Sequence, residues 1–264
     1  MKNKDNRLNN SVNRRIFFKK SMVATSAVIS AGIIPESILA KQKNEVSKNL
    51  KEMAKNIFWI EQAAIKINTG SKVIYFDPFK IKNEDKADIV FISHSHQDHL
   101  SIPDISKVAT EKTIFIAPDD CLKKIKEKFV GNESISVIPG IKQNVHDIGF
   151  ETVPAYNIKK TKYHPRNNNW VGYIVTVNGI RIYHAGDTER IPEMNKFTCD
   201  IAMVPLGQTY TMNSVEDAVQ SVKDVQAKIA IPIHFGLYEG TVEDSKKFEK
   251  LLRNNIHVII KSKA

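Results

Sequence analysis

The stretch Ile89-Val90-Phe91-Ile92-Ser93-His94-Ser95-His96-Gln97-Asp98-His99 decides how this chain is read. Its first half is a short, uninterrupted apolar run rich in β-branched residues, the pattern of a strand buried on both faces. Its second half places His94, His96, Asp98 and His99 within six residues. In extended chain, alternate side chains share a face. His94 and His96 can therefore point into one pocket and bind one cation. As the chain turns, Asp98 and His99 can present to a neighbouring position. Imidazoles with carboxylates are the ligand set of Zn²⁺, Mn²⁺ or Fe. The bland alternative is a polar surface loop, but a cluster this dense directly after a buried strand argues for metal.

Two further segments place metal-type residues at strand ends. Ile180–His184 reads as a strand and runs into Ala185-Gly186-Asp187-Thr188. Ile229–Ile233 reads as another and runs into His234-Phe235. Taken alone, Asp187 could be a turn residue and His234 a core histidine. Strands are also expected at Ile57–Ile60, Ala63–Ile67, Lys72–Phe76, Thr113–Ile116, Ser134–Ile138, Phe150–Pro154, Trp170–Val177, Ile201–Pro205 and His257–Ile260. Asn178-Gly179 is a hairpin signal. Helices are expected at Pro118–Phe129, at Val215 to about Gln226 with Ser214 as cap, and at Val242–Arg253. Strands followed by mixed strand–helix units, repeated about residue 165, fit two sheets packed face to face with helices outside.

His-x-His-x-Asp-His, Gly186-Asp187 and Pro232-x-His234-Phe235, in this order, resemble the metallo-β-lactamase fold superfamily over about residues 56–260. Within it the chain looks most like the branch containing ascorbate-6-phosphate lactonase, and less like true β-lactamases. The resemblance implies an α/β, four-layer αββα sandwich over 56–264. It also implies one or two Zn²⁺ ions, with Mn²⁺ or Fe as alternatives. His94 and His96 would bind the first metal; Asp98, His99 and His234 the second; Asp187 would bridge. One position departs from the pattern. Asn157 stands in Val153-Pro154-Ala155-Tyr156-Asn157, where the family supplies a third histidine. Asn157 can ligate weakly or hold a metal-bound water, His164 can fold back and substitute, or the first site can stay poorly filled.

The chemistry implied is hydrolysis by metal-activated water on an ester, lactone or phosphate-type bond of a small substrate, and a phosphorylated or acidic one is compatible with the charge. Asp98 would both ligate and steer a proton, and His184 or Asn157 would stabilise the oxyanion. Tyr210 and Thr211 sit in a loop, Gly207–Met212, before a helix N-terminus that favours an anion. The rival readings are an iron-dependent oxidoreductase of the same fold and a catalytically silent metal-binding protein.

Among the 264 residues, 42% are apolar and 26% charged, an ordinary globular balance. The net charge of +10 is divided: residues 1–40 carry seven basic and two acidic residues (+5), the rest 32 and 27 (+5). The latter excess is modest and dispersed, so no nucleic-acid partner is expected. Cys121 and Cys199 lack a Cys-x-x-Cys context and read as two buried free thiols, with a disulfide as the oxidising-compartment alternative.

The N-terminus reads as an address. Arg14-Arg15-Ile16-Phe17-Phe18-Lys19 resembles a twin-arginine export signal, and the 13-residue apolar run Met22–Ile34 is too short to span a bilayer. Residues 1–40 are expected to engage the twin-arginine machinery and be cleaved after Ala40, leaving no stable anchor. The mature protein would be periplasmic or extracellular. Residues 41–55 read as a linker or a short first helix.

Overall fold

The computed structural model describes residues 48–82 and 85–264. The expected export signal and the beginning of the linker lie outside the described residues. Residues 48–55 are helical.

The first sheet runs β1 (Ile57–Glu61), β2 (Ala64–Asn68), β3 (Val73–Phe76), β4 (Ile89–Phe91), β5 (Ile114–Ala117) and β6 (Ser134–Ser136), in that spatial order. The second runs β7 (Lys142–Val145), β8 (Ile148–Pro154), β9 (Val171–Val177), β10 (Ile180–His184), β11 (Ile201–Pro205), β12 (Ile229–Ile233) and β13 (His257–Val258). Each sheet begins as an antiparallel meander and ends as parallel strands, from β3 onward in the first and β10 onward in the second. Most parallel steps need a crossover, and helices supply four of them. These are α1 (Ile102–Val108), α2 (Asp119–Lys128), α3 (Val215–Asp224) and α4 (Val242–Leu252).

The alternation along β4 and β5 fixes the layers. Ile89, Phe91, Ile114 and Ile116 face the second sheet, where Phe91 meets Tyr173 and Phe150. Val90, Phe115 and Ala117 face the other way, onto Ile105 and Val108 of α1 and Cys121, Leu122 and Ile125 of α2. On the far side, Val215, Ala218, Val222, Phe248 and Leu252 of α3 and α4 close over the second sheet. The result is the expected four-layer αββα sandwich of the metallo-β-lactamase fold. Each fully buried Phe or Ile side chain in it contributes about 1.5–3 kcal/mol relative to exposure.

Asn178 and Gly179 adopt φ 51° and 77°, the left-handed pair of the hairpin turn they signalled. The Ser214 hydroxyl accepts from the Asp217 N–H and caps α3 as expected. Cys121 and Cys199 are buried free thiols. Burial pushes the Cys199 thiol up to about 12 and raises Cys121 as well, so both are unreactive.

Two elements were absent from the sequence-based expectation. α1 is only seven residues long and carries Pro103 in its first turn. β7 is largely exposed and polar at the sheet edge, where no burial pattern marks it.

Candidate metal centre

The site lies where strands end. Asp77 follows β3, His94–His99 follow β4, Asp187 follows β10 and His234 follows β12. Ligand sites in α/β sheets form beyond the carboxyl ends of strands for this topological reason. The backbone is forced at two of these ends, where Asp77 and His234 have φ of 45° and 55°, and at Gln62 after β1, with φ 46°. Such non-glycine values cost energy and concentrate at functional sites. Gly186 has φ 62°, and a Cβ there would lie 2.9 Å from Ser93 Cβ, so only glycine lets the β10 turn seat Asp187 beside the histidine loop.

One carboxylate oxygen organises the centre. Asp187 Oδ2 lies 3.4 Å from the Nε2 atoms of His99, His164 and His234, and 3.9 Å from that of His94. Asp98 Oδ2 lies 3.6 Å from His99 Nε2 and 3.5 Å from His234 Nε2. His94 Nε2 is 3.0 Å from His96 Nδ1. Two groups on either side of Asp187 could therefore each hold a cation: His94, His96, His164 and Asp187, and Asp98, His99 and His234. His99 Nε2, His164 Nε2 and Asp187 Oδ1 are buried without a hydrogen-bond partner. Buried polar atoms are rarely left so, and cations between the two groups would satisfy them. The residues present fit a divalent-metal pair.

Outer partners fix the histidine rings. Asp77 Oδ2 accepts from His99 Nδ1 at 2.8 Å, while both its oxygens hold Ser93, through the Ser93 N–H and hydroxyl. Glu239 Oε1 lies 3.1 Å from His234 Nδ1. The Tyr210 carbonyl accepts from His164 Nδ1 at 3.2 Å. With Nδ1 protonated in each case, Nε2 is the nitrogen left to face a cation once its own proton is displaced. Trp170 covers the rings of His94 and His96 at 4.9 and 5.0 Å, its indole N–H donating to Asp120.

The charges are strongly coupled. Burial opposes charge on Asp98, yet His99 and His234 hold its carboxyl at about 2. Burial likewise opposes charge on His234, and Asp187, Asp98 and Glu239 outweigh it and raise the imidazole to about 10. His99 is raised well above its usual range by Asp187, Asp98 and Asp77, against burial. Burial lowers His94 and His96, as do the neighbouring histidines. Against burial, His234 and His99 push Asp187 well below the carboxylate range.

Other residues singled out in the sequence have partners of their own. His184 is not at the reaction centre. Its Nε2–H donates to the Ala63 carbonyl at 2.8 Å, its Nδ1 accepts from the Gly186 N–H, and its ring stacks on Phe76 in the core. Asn157 Nδ2 donates to the carbonyls of Tyr210 (2.6 Å) and Lys160 (3.3 Å), while its Oδ1 is buried without a hydrogen-bond partner. His164 joins His94, His96 and Asp187 in one candidate ligand group. Thr211 is buried and donates to Glu239 and to the Gly207 carbonyl, so it does not line a substrate pocket. Tyr210 contributes its carbonyl, while its ring packs edge-on to Tyr163.

Asp77, Glu239 and Trp170 escaped sequence reading, as did Glu189. The buried Glu189 carboxylate accepts from three successive N–H groups, Ile158, Lys159 and Lys160, and shapes the loop that delivers His164. The only local signal for any of them was an isolated acid or aromatic in a loop.

A family model described as the β-lactamase superfamily domain matches residues 56–234, ending on the last histidine of the centre. Fold and site together define a metal-dependent hydrolase of the metallo-β-lactamase superfamily. A UPF0173 metal-dependent hydrolase of Pyrococcus furiosus is 32% identical over 207 residues, spanning 72% of this chain and 89% of that protein. The chain belongs to this UPF0173 metal-dependent hydrolase family. A solved structure from Parabacteroides distasonis, provisionally named a metal-dependent hydrolase, aligns with a TM-score of 0.68 at 32% identity, over 78% of this chain and 91% of that one. Igni18, a metallo hydrolase from Ignicoccus hospitalis, shares the fold with a TM-score of 0.65 at 21% identity, over 79% and 95% of the two chains.

Proposed function

We propose that this enzyme holds two divalent cations, zinc or manganese, and hydrolyses an ester, lactone or phosphate-type bond of a small anionic substrate. The observation that carries the reading is Asp187 Oδ2 within 4 Å of four imidazole nitrogens. His94, His96 and His164 would hold one ion, Asp98, His99 and His234 the other, and Asp187 would reach both. Such a pair supplies Lewis acidity and lowers the pKa of bound water towards neutrality. Asp98 is the partly solvent-open carboxylate of the centre, so it is placed to take up and pass on a proton. A groove of about 390 Å³ is lined by Ser95, Asp119, Asp120, Lys123, Asn168 and Trp170 among others. That volume suits a small molecule, and its lining carries both signs of charge.

Purified protein assayed on ester, lactone and phosphodiester panels, with and without chelator, tests this. Metal-dependent turnover of one class is expected. Stoichiometric iron with substrate-dependent oxygen consumption would instead support the oxidoreductase reading, and metal binding with no turnover on any panel the silent one.

We also propose export by the twin-arginine machinery, with cleavage after Ala40, on the strength of the Arg14-Arg15 pattern alone. Among the described residues, no helix is long and apolar enough to cross a membrane. Arg14→Lys with Arg15→Lys should leave the precursor in the cytoplasmic fraction; unchanged processing would defeat the idea.

A further inference from the structure

We propose that Glu239 is a positioning residue that sets both halves of the metal centre at once, and that Gly207 is a glycine in order to make room for it. The proposal rests on the two-cation reading above and goes beyond it.

Glu239 is buried, and each carboxylate oxygen has a separate task. Oε1 lies 3.1 Å from His234 Nδ1 and accepts from the Thr211 hydroxyl at 2.9 Å. Oε2 accepts from the N–H groups of Thr209 (2.9 Å) and Tyr210 (2.6 Å). The first oxygen orients His234 directly. The second fixes the peptide that continues into the Tyr210 carbonyl. That carbonyl accepts from His164 Nδ1 at 3.2 Å and from the Asn157 amide at 2.6 Å. His234 and His164 belong to opposite cation groups, yet each aims its Nε2 at the same Asp187 oxygen from 3.4 Å. One side chain therefore orients a ligand on each side of the bridge. Gln62 also approaches His234, its Nε2 3.3 and 3.5 Å from the two ring nitrogens, and its carbonyl accepts from the His234 N–H at 2.8 Å.

The space for Glu239 is taken from position 207. A Cβ on Gly207 would lie 1.7 Å from Glu239 Cδ and 1.8 Å from Oε1. The backbone there does not call for glycine, because Gly207 is not among the positive-φ glycines. The constraint on Gly207 is the carboxylate itself. Gly207→Ala thus displaces Glu239 without altering any group that could hold metal.

The test is a double-mutant cycle on the full chain, read as Zn²⁺ dissociation constants from titration against a chromophoric chelator, with Co²⁺ absorption spectra as a second readout. Circular dichroism of the metal-free proteins establishes that each is folded. Losing an outer partner of a metal histidine costs about 10- to 100-fold in affinity. Glu239→Ala should weaken both cations by that order and change the Co²⁺ spectrum. Gly207→Ala should do the same in the native background and nothing further on top of Glu239→Ala, the non-additivity expected of two residues in one contact. Glu239→Asp, which keeps the charge one methylene back, should recover part of the loss. Wild-type affinity for both ions in Glu239→Ala, loss confined to one ion, or equal cost of Gly207→Ala in both backgrounds would overturn the proposal. A wild-type chain that binds no metal would overturn the two-cation reading, and this inference with it.

Discussion

Replacing His164 by Ala separates the two cation groups. His164 is one of three imidazoles in the group with His94, His96 and Asp187, and it contributes nothing to Asp98, His99 and His234. Disturbing a partner of a metal histidine costs about 10- to 100-fold, so removing the histidine itself should weaken the first ion at least about 100-fold, roughly 3 kcal/mol. The second ion should remain, its outer partners Asp77 and Glu239 untouched. Asn157→Ala is the graded control. It removes the amide that shares the Tyr210 carbonyl with His164 Nδ1, together with the unpartnered Oδ1; with His164 as the ligand, a loss of about tenfold or less is expected. Elemental analysis and chelator competition on the purified proteins read both effects. Two tightly held ions in His164→Ala, together with loss of one in Asn157→Ala, would refute the assignment and restore Asn157 as the ligand.

Other outcomes follow from the same geometry. In metal-free protein, His234 is raised from 6.5 to about 10. Its stabilising contribution is therefore fully present below about pH 6.5 and is lost as pH rises through about 10. Metal must displace that proton, so the loaded protein should gain stability over the same window; parallel melting-temperature profiles with and without chelator would contradict this. His184→Ala should destabilise the fold by about 2–4 kcal/mol in denaturant unfolding, since it deletes a buried ring bonded to the Ala63 carbonyl, while turnover per bound metal stays near wild type. Gly186→Ala, forced to φ 62° against Ser93, should cost about 1–3 kcal/mol and reduce metal content because it shifts Asp187.

Much of the fold was legible because its strands are short apolar runs closed by strong punctuation. Asn178-Gly179, Ser214 before α3 and the runs at Ile89 and Ile229 each carry a local signal that tertiary packing reinforced. The residues that would hold metal were legible where they cluster, at His94–His99, or directly follow a readable strand, as Asp187 and His234 do. His164 was left undecided against Asn157 because both lie in one loop, and the choice depends on Glu189 drawing three N–H groups together. Asp77 and Glu239 were invisible for a related reason. Their partners, His99 and Ser93 for one and His234 and the Tyr210 loop for the other, meet them only once β3 pairs with β4 and β11 with β12 and the loops beyond them fold together. His184 misled because it adjoins the Gly-Asp turn, and strand alternation turned its ring into the core instead.

Metal stoichiometry of the purified, unchelated chain bears on the central claim most directly. Elemental analysis should find two equivalents of zinc or manganese per chain in the wild type and fewer in Asp187→Ala, whose missing carboxylate serves both groups. A wild-type chain that takes up no divalent metal at saturating concentration, or an Asp187→Ala chain that keeps two ions at undiminished affinity, would contradict it.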